Sequence, residues 1–305
     1  MDNLTHSLVG ALLGRMGLKR LTPLAMPALI VSANLPDIDS FVAPLFGVPA
    51  RVAHRGFTHG IGGLVTMPFV AAAVILLWQA IRPSREGRVR LGGLLLACFL
   101  GTLSHPILDY LTGYGTRLLE PFSHRWFYGD TLFIVDPWIW IMLIFGLELL
   151  WRAERKGGNW TRPAIWAFGA VLGYIAVNAA ITIRSVAVTR PLVERVAEPR
   201  LIVASEEPLL FWRRHMLWRG SVVGGSGEYD PLQGLNHAVL DPRLVPLRLD
   251  EPELARAART DPKVRDFLFW SRMPLVTQVD GRLYLGDQRF PALRHTGFLI
   301  PLDKR

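Results

Sequence analysis

GIGGLVTMPFVAAAVILLWQAI, residues 60–81, is the stretch of sequence that decides the fold. It carries no charged residue, and a second uncharged stretch of similar length follows at Pro163–Ile183. A helix rises about 1.5 Å per residue, so roughly 20 residues cross a hydrocarbon core of about 30 Å. Both stretches therefore predict transmembrane helices.

Four further apolar stretches are shorter or contain polar residues: Leu4–Leu18, Leu21–Ala33, Leu91–Leu111 and Thr131–Trp151. The first two meet at Lys19-Arg20, and each is short for a complete crossing, which predicts a hairpin of short or half-inserted helices. Together the six stretches predict a mainly α, polytopic helical membrane bundle of about six apolar helices, the first two short.

The composition divides the chain into two parts. Half of its 305 residues are hydrophobic and 19% are charged, which is unusually apolar for a soluble protein. Residues 184–305 nevertheless hold 34 of the 59 charged side chains. We predict a membrane-embedded domain at 1–189 and a small soluble domain at 190–305. The net charge of +9 comes largely from basic residues that flank apolar stretches, so no nucleic-acid partner is expected.

The second domain is predicted to be β-rich. Short apolar runs are separated there by Pro, Gly and Asp, and they lie at 201–203, 209–212, 275–279 and 282–285. Asp280-Gly281 predicts a hairpin turn, and Gly220–Gly227 predicts another turn. Pro252–Arg265 predicts one helix.

Charge bias predicts the orientation. Residues 15–20, 82–90 and 152–162 each carry a net charge of +3, whereas the loops 34–59 and 112–130 are neutral. Positive loops stay on the cytoplasmic side. We therefore predict a multi-pass protein of a bacterial inner membrane, with six crossings and with the N-terminus, the neutral loops and the C-terminal domain on the outer face.

Histidines and aspartates gather at the predicted outer ends of the apolar stretches: His6, Asp37, Asp39, His54, His59, His105 and Asp109. Ionised aspartate at mid-membrane costs about 2.5–3.5 kcal/mol, so such residues are seldom retained without a partner or a function. Because this clustering was not used to derive the topology, it indicates a common site.

The spacing of these residues leaves simpler interpretations open. His105 and Asp109 share one helical face, which suits ligands but also suits a structural hydrogen bond. His54 and His59 lie about 140° apart on a regular helix, so they converge only if a loop-to-helix junction forms at Gly56. His6 alone is also consistent with a capping or interfacial histidine, and Asp37 and Asp39 with a turn.

Imidazole and carboxylate are the ligands that suit Zn²⁺ and, with more oxygen atoms, Mn²⁺ or Mg²⁺. Seven such residues exceed the four ligands of one structural zinc, which predicts two divalent ions, and paired ions are suited to phosphoester hydrolysis. No cysteine ligand accompanies them, which favours an open catalytic site.

Three residues are predicted to have catalytic roles. Arg55 would neutralise an anionic substrate, although lipid headgroups are an equally good partner for it. Asp37 would accept a proton from the attacking water. Asp136 would serve as an extra ligand or would orient a histidine.

The ordered motifs resemble one known family. They are Thr5-His6, Asn34-Leu-Pro-Asp-Ile-Asp39, His54-Arg-Gly-Phe-Thr-His59, His105-Pro-Ile-Leu-Asp109 and Asp136-Pro137-Trp138. Residues 1–150 resemble the YdjM-like family of inner-membrane metal-dependent hydrolases, some members of which are described as associated with the LexA repressor. The family is distantly similar to the zinc-dependent phospholipase C and P1-nuclease group. The resemblance implies zinc, phosphoester hydrolysis and a metal site at the seven clustered residues.

We therefore predict a membrane-bound metal-dependent phosphoesterase that uses a metal-activated water on a lipid-linked or membrane-proximal substrate. Two other classes remain. A transporter would string polar residues through the depth of the bundle. A regulator would carry a non-catalytic metal site and bind a protein partner, whose identity the sequence leaves open.

Overall fold

A computed structural model of the chain describes residues 1–82, 87–158, 160–290 and 298–303. Arg85 and Glu86, which entered the charge count of the second positive loop, lie outside the described residues. The chain divides into two compact units, Met1–Ala179 and Ala180–Arg305.

Unit 1 is helical. Its helices are α1 (Asn3–Arg15), α2 (Ala25–Asn34), α3 (Asp39–Val42), α4 (Ala50–Ala53), α5 (Ile61–Ile81), α6 (Leu91–Tyr110), α7 (Pro137–Arg155) and α8 (Thr161–Glu194), the last of which continues into unit 2. Short 3₁₀ turns at Leu18–Arg20, Leu35–Ile38, Ala43–Phe46 and Phe57–His59 connect several of them.

Four segments of the described chain are long and apolar enough to cross a membrane: Ala25–Phe46, Ile61–Ile81, Leu91–Tyr110 and Thr161–Glu194. The prediction of six apolar helices is therefore not confirmed. The 13 residues of α1 span only about 20 Å. Helix α7 starts later than predicted because Asp136 caps it, and it includes charged residues of its last turns. Most of the stretch predicted at Leu21–Ala33 belongs to the segment Ala25–Phe46, which starts later and extends further.

Helix α2 lies between α1 and α6, and glycines allow the close approach. A Cβ atom on Gly10 would lie 2.8 Å from the carbonyl oxygen of Leu29, and one on Gly101 would lie 2.7 Å from the same atom. Leu29 is fully buried, with Ala28 and Cys98 in the same apolar core. This packing brings the C-terminal end of α2 between the helices that carry His6 and His105.

Unit 2 contains two antiparallel sheets. The first has the order β1-β2-β3-β4 with β5 also paired to β3, and it comprises β1 (Leu201–Glu206), β2 (Arg214–Arg219), β3 (Val223–Tyr229), β4 (Ala238–Leu240) and β5 (Val245–Pro246). Helices α9 (Pro252–Thr260) and α10 (Pro262–Trp270) follow. The second sheet comprises β6 (Pro274–Val279), β7 (Arg282–Asp287) and β8 (Ile300–Pro301).

Two local predictions for this unit were only partly right. Residues 220–222 form the predicted turn between β2 and β3, whereas 223–227 belong to strand β3, where a Cβ on Gly225 would lie 2.5 Å from the Trp218 ring. Glycine there makes room for a buried tryptophan instead of forming a turn. Pro252–Arg265 is divided between α9 and α10, because the Asp261 side chain caps the second helix by accepting from the Lys263 N–H. The hairpin at Asp280-Gly281 is confirmed, since Val279 pairs with Arg282.

Candidate metal centre

Four chain segments deliver the seven predicted site residues to one place. Their side chains form two overlapping groups, and within each group the potential ligand atoms lie within 4.8 Å of one another. We name the first the inner group, which comprises Asp37, His59, His105 and Asp109, and the second the outer group, which comprises Asp39, His54 and His59. His6 lies against the inner group.

The four ligand atoms of the inner group are close to evenly spaced. The Nε2 atoms of His59 and His105 are 3.0 Å apart. Asp37 Oδ1 lies 3.2 Å from His105 Nε2 and 3.4 Å from His59 Nε2. Asp109 Oδ2 lies 3.3 Å from His59 Nε2 and 3.7 Å from His105 Nε2. His59, His105 and Asp109 are buried, whereas Asp37 is partly exposed.

Hydrogen bonds on the far sides of the two imidazoles assign their tautomers. His105 Nδ1 lies 2.6 Å from the Ala33 carbonyl oxygen, which can only accept, so this nitrogen carries the proton. Thr58 donates its single hydroxyl proton to Asp39 at 2.6 Å. Because that proton is used, Thr58 Oγ1 accepts the proton of His59 Nδ1 at 2.9 Å. Both Nε2 atoms are therefore unprotonated in the neutral rings. The two Nε2 atoms therefore present lone pairs to each other and to the two carboxylate oxygens, one of which also lies 3.2 Å from Arg55 Nε.

His6 stacks on His105, with ring centroids 3.8 Å apart. Its Nε2 lies 3.5 Å from Asp109 Oδ1. The side chain is fully buried, and within the described part of the chain neither ring nitrogen has a hydrogen-bond partner. A buried imidazole with both nitrogens unsatisfied is costly in a folded protein, and it suits a position next to a cation.

The side chains of the outer group already form hydrogen bonds with one another and with neighbouring hydroxyl groups. His54 Nδ1 lies 2.9 Å from Asp39 Oδ1 and 2.8 Å from Ser40 Oγ. The other oxygen of Asp39 accepts from Thr58. Asp39 thus orients His54 directly and His59 through Thr58, as carboxylates beside metal-binding histidines do. Sequence reasoning missed Thr58, whose signal was its position next to His59 in the motif.

The junction predicted at Gly56 is present. His54 ends α4 in an extended conformation, Arg55 has a left-handed φ of 61°, and the 3₁₀ turn Phe57–His59 follows. The rings of His54 and His59 consequently approach to 5.5 Å between centroids. A continuous helix would have kept them on different faces.

Arg55 is buried and contacts Asp109 instead of projecting into solvent. Its Nε lies 3.2 Å from Asp109 Oδ2, and one terminal nitrogen donates to Thr112 at 3.0 Å and to the Gly115 carbonyl at 3.2 Å. Burial lowers the pKa of the Arg55 guanidinium to about 10, so it stays charged at neutral pH. The Met1 amino group contacts the other Asp109 oxygen. The Arg55 guanidinium therefore offsets the charge of this carboxylate.

A neighbouring arginine that was not predicted supports this loop. Arg117 donates to Glu120 at 2.9 Å and to the Ala53 carbonyl at 3.3 Å, just before His54. A cation at a helix C-terminus stabilises the exposed carbonyls there. Arg117 therefore helps to hold α4 and His54 in place.

Residues 1–184 match the YdjM inner membrane protein family. The chain belongs to this family. It is also 25% identical over 282 residues to "Uncharacterized protein YfhP" of Bacillus subtilis (strain 168), an alignment that covers 89% of this chain and 80% of that relative. No solved structure matches the chain. Neither named match is described as a hydrolase or placed with the phospholipase C and P1-nuclease group, so that part of the resemblance stays a prediction.

Asp136, in the last motif that resembles the family, has different contacts from those predicted. It caps α7 by accepting from the backbone N–H groups of Trp138 at 3.0 Å and Ile139 at 3.1 Å. It also accepts from the Tyr174 hydroxyl at 3.0 Å. It belongs to neither the inner nor the outer group. Its contacts are those of a helix cap in this inner membrane protein.

Proposed function

We propose that this protein is a membrane-bound metal-dependent hydrolase whose inner group holds one divalent cation, and that it cleaves a phosphoester in a lipid-linked or membrane-proximal substrate. The observation that carries the proposal is the convergence of two unprotonated imidazole nitrogens and two carboxylate oxygens within 4.8 Å of one another. Arg55 pairs with Asp109. The lone pairs of His59, His105 and Asp37 still repel one another unless a further cation lies among them.

The spacing favours zinc. Four ligand atoms at about 2.0–2.1 Å from a tetrahedral ion lie roughly 3.3 Å apart. Five of the six distances among the inner group range from 3.0 to 3.7 Å and bracket this value. The mixture of two imidazoles and two carboxylates is also typical of zinc, whereas Mg²⁺ prefers oxygen atoms in an octahedron.

The contacts favour one cation over the two expected from the number of ligands. Asp39 and His54 of the outer group satisfy each other and the Ser40 and Thr58 hydroxyls. A second cation would have to displace those protons. We therefore propose that the outer group positions His59 and lines the approach to the inner group, and that it does not hold an ion of its own.

The proposed reaction depends on which groups of the site are accessible to water and substrate. A bound divalent cation polarises a phosphoryl oxygen and makes water a stronger nucleophile at neutral pH. Asp37 is the most accessible carboxylate of the inner group and is the proposed acceptor of the water's proton. Arg55 offsets the charge of Asp109, so that the site does not repel an anionic substrate.

The surroundings of the site support a lipid-linked substrate. Directly after Asp39, the segment that ends at Phe46 exposes Phe41, Leu45 and Phe46 strongly. Large exposed apolar side chains beside a polar site are typical of proteins that take substrates from a bilayer or another apolar surface.

We also propose the multi-pass topology with the site on the outer face. Arg15 and Lys19, near the C-terminal end of α1, both contact Glu154 near the C-terminal end of α7. His6 lies near the opposite end of α1. The positively charged loops and the candidate metal centre therefore lie at opposite ends of these helices, as the positive-inside rule requires of an outer-face site.

Metal analysis combined with an activity panel tests the proposal. The purified protein would be stripped with a chelator, reloaded with Zn²⁺ or Mn²⁺ and assayed on 4-nitrophenyl phosphate, bis(4-nitrophenyl) phosphate and phospholipid vesicles. We expect about one zinc per chain and metal-dependent hydrolysis. His105→Ala should lose both, whereas His215→Ala, an exposed histidine on β2, should keep both. A protein that takes up no metal after reloading would overturn the proposal.

One observation favours a second function. Four protein ligands complete a tetrahedron, as they do in structural zinc sites, whereas catalytic zinc keeps a position open. The second candidate is a membrane protein that the metal stabilises without catalysis. Stoichiometric zinc with no hydrolysis of any phosphoester in the panel would favour it.

A further inference from the structure

Two loops of unit 2 expose leucines at one end of its five-stranded sheet. The loop 207–213 joins β1 to β2 and exposes Leu209, and the loop 230–237 joins β3 to β4 and exposes Leu232 and Leu235. Leu232 is 74% exposed and Leu235 is 70% exposed. Side chains of this size seldom lie so open in a cluster unless something apolar covers them.

Arginine side chains tie both loops to the same turn of α8. Arg214, at the start of β2, donates to Thr182 Oγ1 at 3.1 Å and to the Phe211 carbonyl at 2.6 Å. Arg184 donates to the Leu235 carbonyl at 3.3 Å and also contacts the Asn236 side chain. The exposed leucines therefore belong to loops held beside residues 182–184 of α8.

From this turn, α8 runs along the sheet toward its other end. Val193 packs in the sheet core with Ile202 and Trp218. Beyond the helix, the Glu198 carbonyl oxygen lies 3.0 Å from the position of a Cβ on Gly220. The turn at Val222 is therefore the far end of the β2–β3 hairpin, roughly 17 Å from the leucine loops at about 3.4 Å per residue.

The apolar part of α8 ends where the loops begin. Helix α8 has 34 residues, which is more than the roughly 20 needed to cross a hydrocarbon core. Pro163–Ile183 is its uncharged portion and would extend about 31 Å. Arg184 is the next charged residue, and Ile183 is strongly exposed. The uncharged portion of α8 therefore ends at the turn that the two loops contact.

We propose that the loops 207–213 and 230–237 form a lipid-contacting surface, in which Leu209, Leu232 and Leu235 enter the interfacial layer of the bilayer. The occupant is lipid because both loops are held beside residues 182–184, where the uncharged portion of α8 ends. Arg184 adds a positive charge at the headgroup level. The effect would be to fix the sheet of unit 2 upright on the membrane, independently of the metal centre.

Fluorescent labels at single cysteines test this in the full-length protein, reconstituted into vesicles of phosphatidylcholine and phosphatidylglycerol. Leu232→Cys and Leu235→Cys would carry an environment-sensitive label, with Val222→Cys as the matched control. Val222 is 68% exposed and equally apolar, but it lies at the far end of the hairpin. Cys98 is buried, and the parent protein measures any labelling there.

We expect the labels at 232 and 235 to emit at shorter wavelength than the label at 222, and to be quenched several-fold more by nitroxide-bearing lipids. Iodide in the aqueous phase should quench mainly the label at 222. Equal quenching at all three positions by iodide, with none by the lipid nitroxide, would overturn the proposal. Protection from both quenchers at 232 and 235 would also overturn it, because protein would then cover the loops.

Discussion

His59 and His105 present their unprotonated Nε2 atoms to each other at 3.0 Å. Each ring is held in this tautomer from behind, His105 by the Ala33 carbonyl and His59 by the Thr58 hydroxyl. Two facing lone pairs, with carboxylate oxygens beside them, store unfavourable electrostatic energy in the absence of a positive charge. We therefore expect cation binding at this site and the stability of unit 1 to depend on each other.

Chelation should therefore lower the stability of the protein. A ligand that binds only the folded state stabilises it by about 2.7 kcal/mol at a concentration 100 times its Kd. We expect the unfolding temperature in detergent to fall with a chelator and to recover with Zn²⁺. The unfolding temperature of His105→Ala should not change with zinc. If the unfolding temperature of the wild type changes with neither the chelator nor zinc, the proposed cation site is contradicted.

Gly101→Ala should separate α6 from α2. The added Cβ would meet the Leu29 carbonyl at 2.7 Å, one helical turn before His105 and its bond to Ala33. Overpacking of this kind costs about 1–3 kcal/mol. We expect a lower unfolding temperature and weaker zinc binding, measured by competition with a chromogenic chelator. Gly92→Ala is the control on the same helix, because no atom lies within 4 Å of its added Cβ.

Asp136→Ala should weaken α7 without removing the metal. Loss of a helix N-cap costs about 0.5–2 kcal/mol, and here the Tyr174 hydroxyl loses its acceptor as well. Thermal unfolding followed by circular dichroism measures the change. Asp136→Asn retains an acceptor for the backbone and should recover part of the stability. If Asp136→Ala folds fully but no longer binds zinc, Asp136 would instead belong to the candidate metal centre.

Asp287 should make unit 2 sensitive to acid. Burial opposes its ionisation, but hydrogen bonds from Arg289 at 2.9 Å and Ser271 at 2.6 Å outweigh that cost and lower the pKa of Asp287 below its usual value. The unfolded chain, with a pKa of about 3.9, then binds the proton more readily than the folded chain. The contribution to stability is complete above that value and is lost as pH falls through the folded pKa.

Thermal unfolding between pH 3 and 7 checks the Asp287 prediction. Asp287→Asn should be less stable at pH 7 and should lose less stability on acidification than the wild type. The exposed Asp303 provides the control, since Asp303→Asn should leave the wild-type slope unchanged. Parallel curves for wild type and Asp287→Asn would show that this pair does not contribute to the acid dependence.

Much of the architecture was predictable because it depends on local composition. The uncharged stretches at 60–81 and 163–183 correspond to α5 and the apolar part of α8. The number of crossings was less predictable, since it depends on where helices are capped. Asp136 caps α7, so the helix begins at Pro137, six residues after the start predicted at Thr131. The turn predicted at Gly220–Gly227 is limited to 220–222, because the later glycines belong to β3, and only the packing of Trp218 reveals why Gly225 is needed there.

The sequence by itself determined that this is an apolar helical chain with a polar C-terminal part, and that seven histidines and aspartates lie near the ends of its apolar stretches. Hydropathy and charge are local properties, so they can be read without a fold. Only the tertiary structure decided which atoms face one another. The convergence of Asp37 and His105 depends on the packing of α6 against α2 at Gly101 and Leu29, and the convergence of His54 and His59 depends on the backbone of the junction between them. Distances between residues far apart in the chain follow from such packing, which no local pattern encodes.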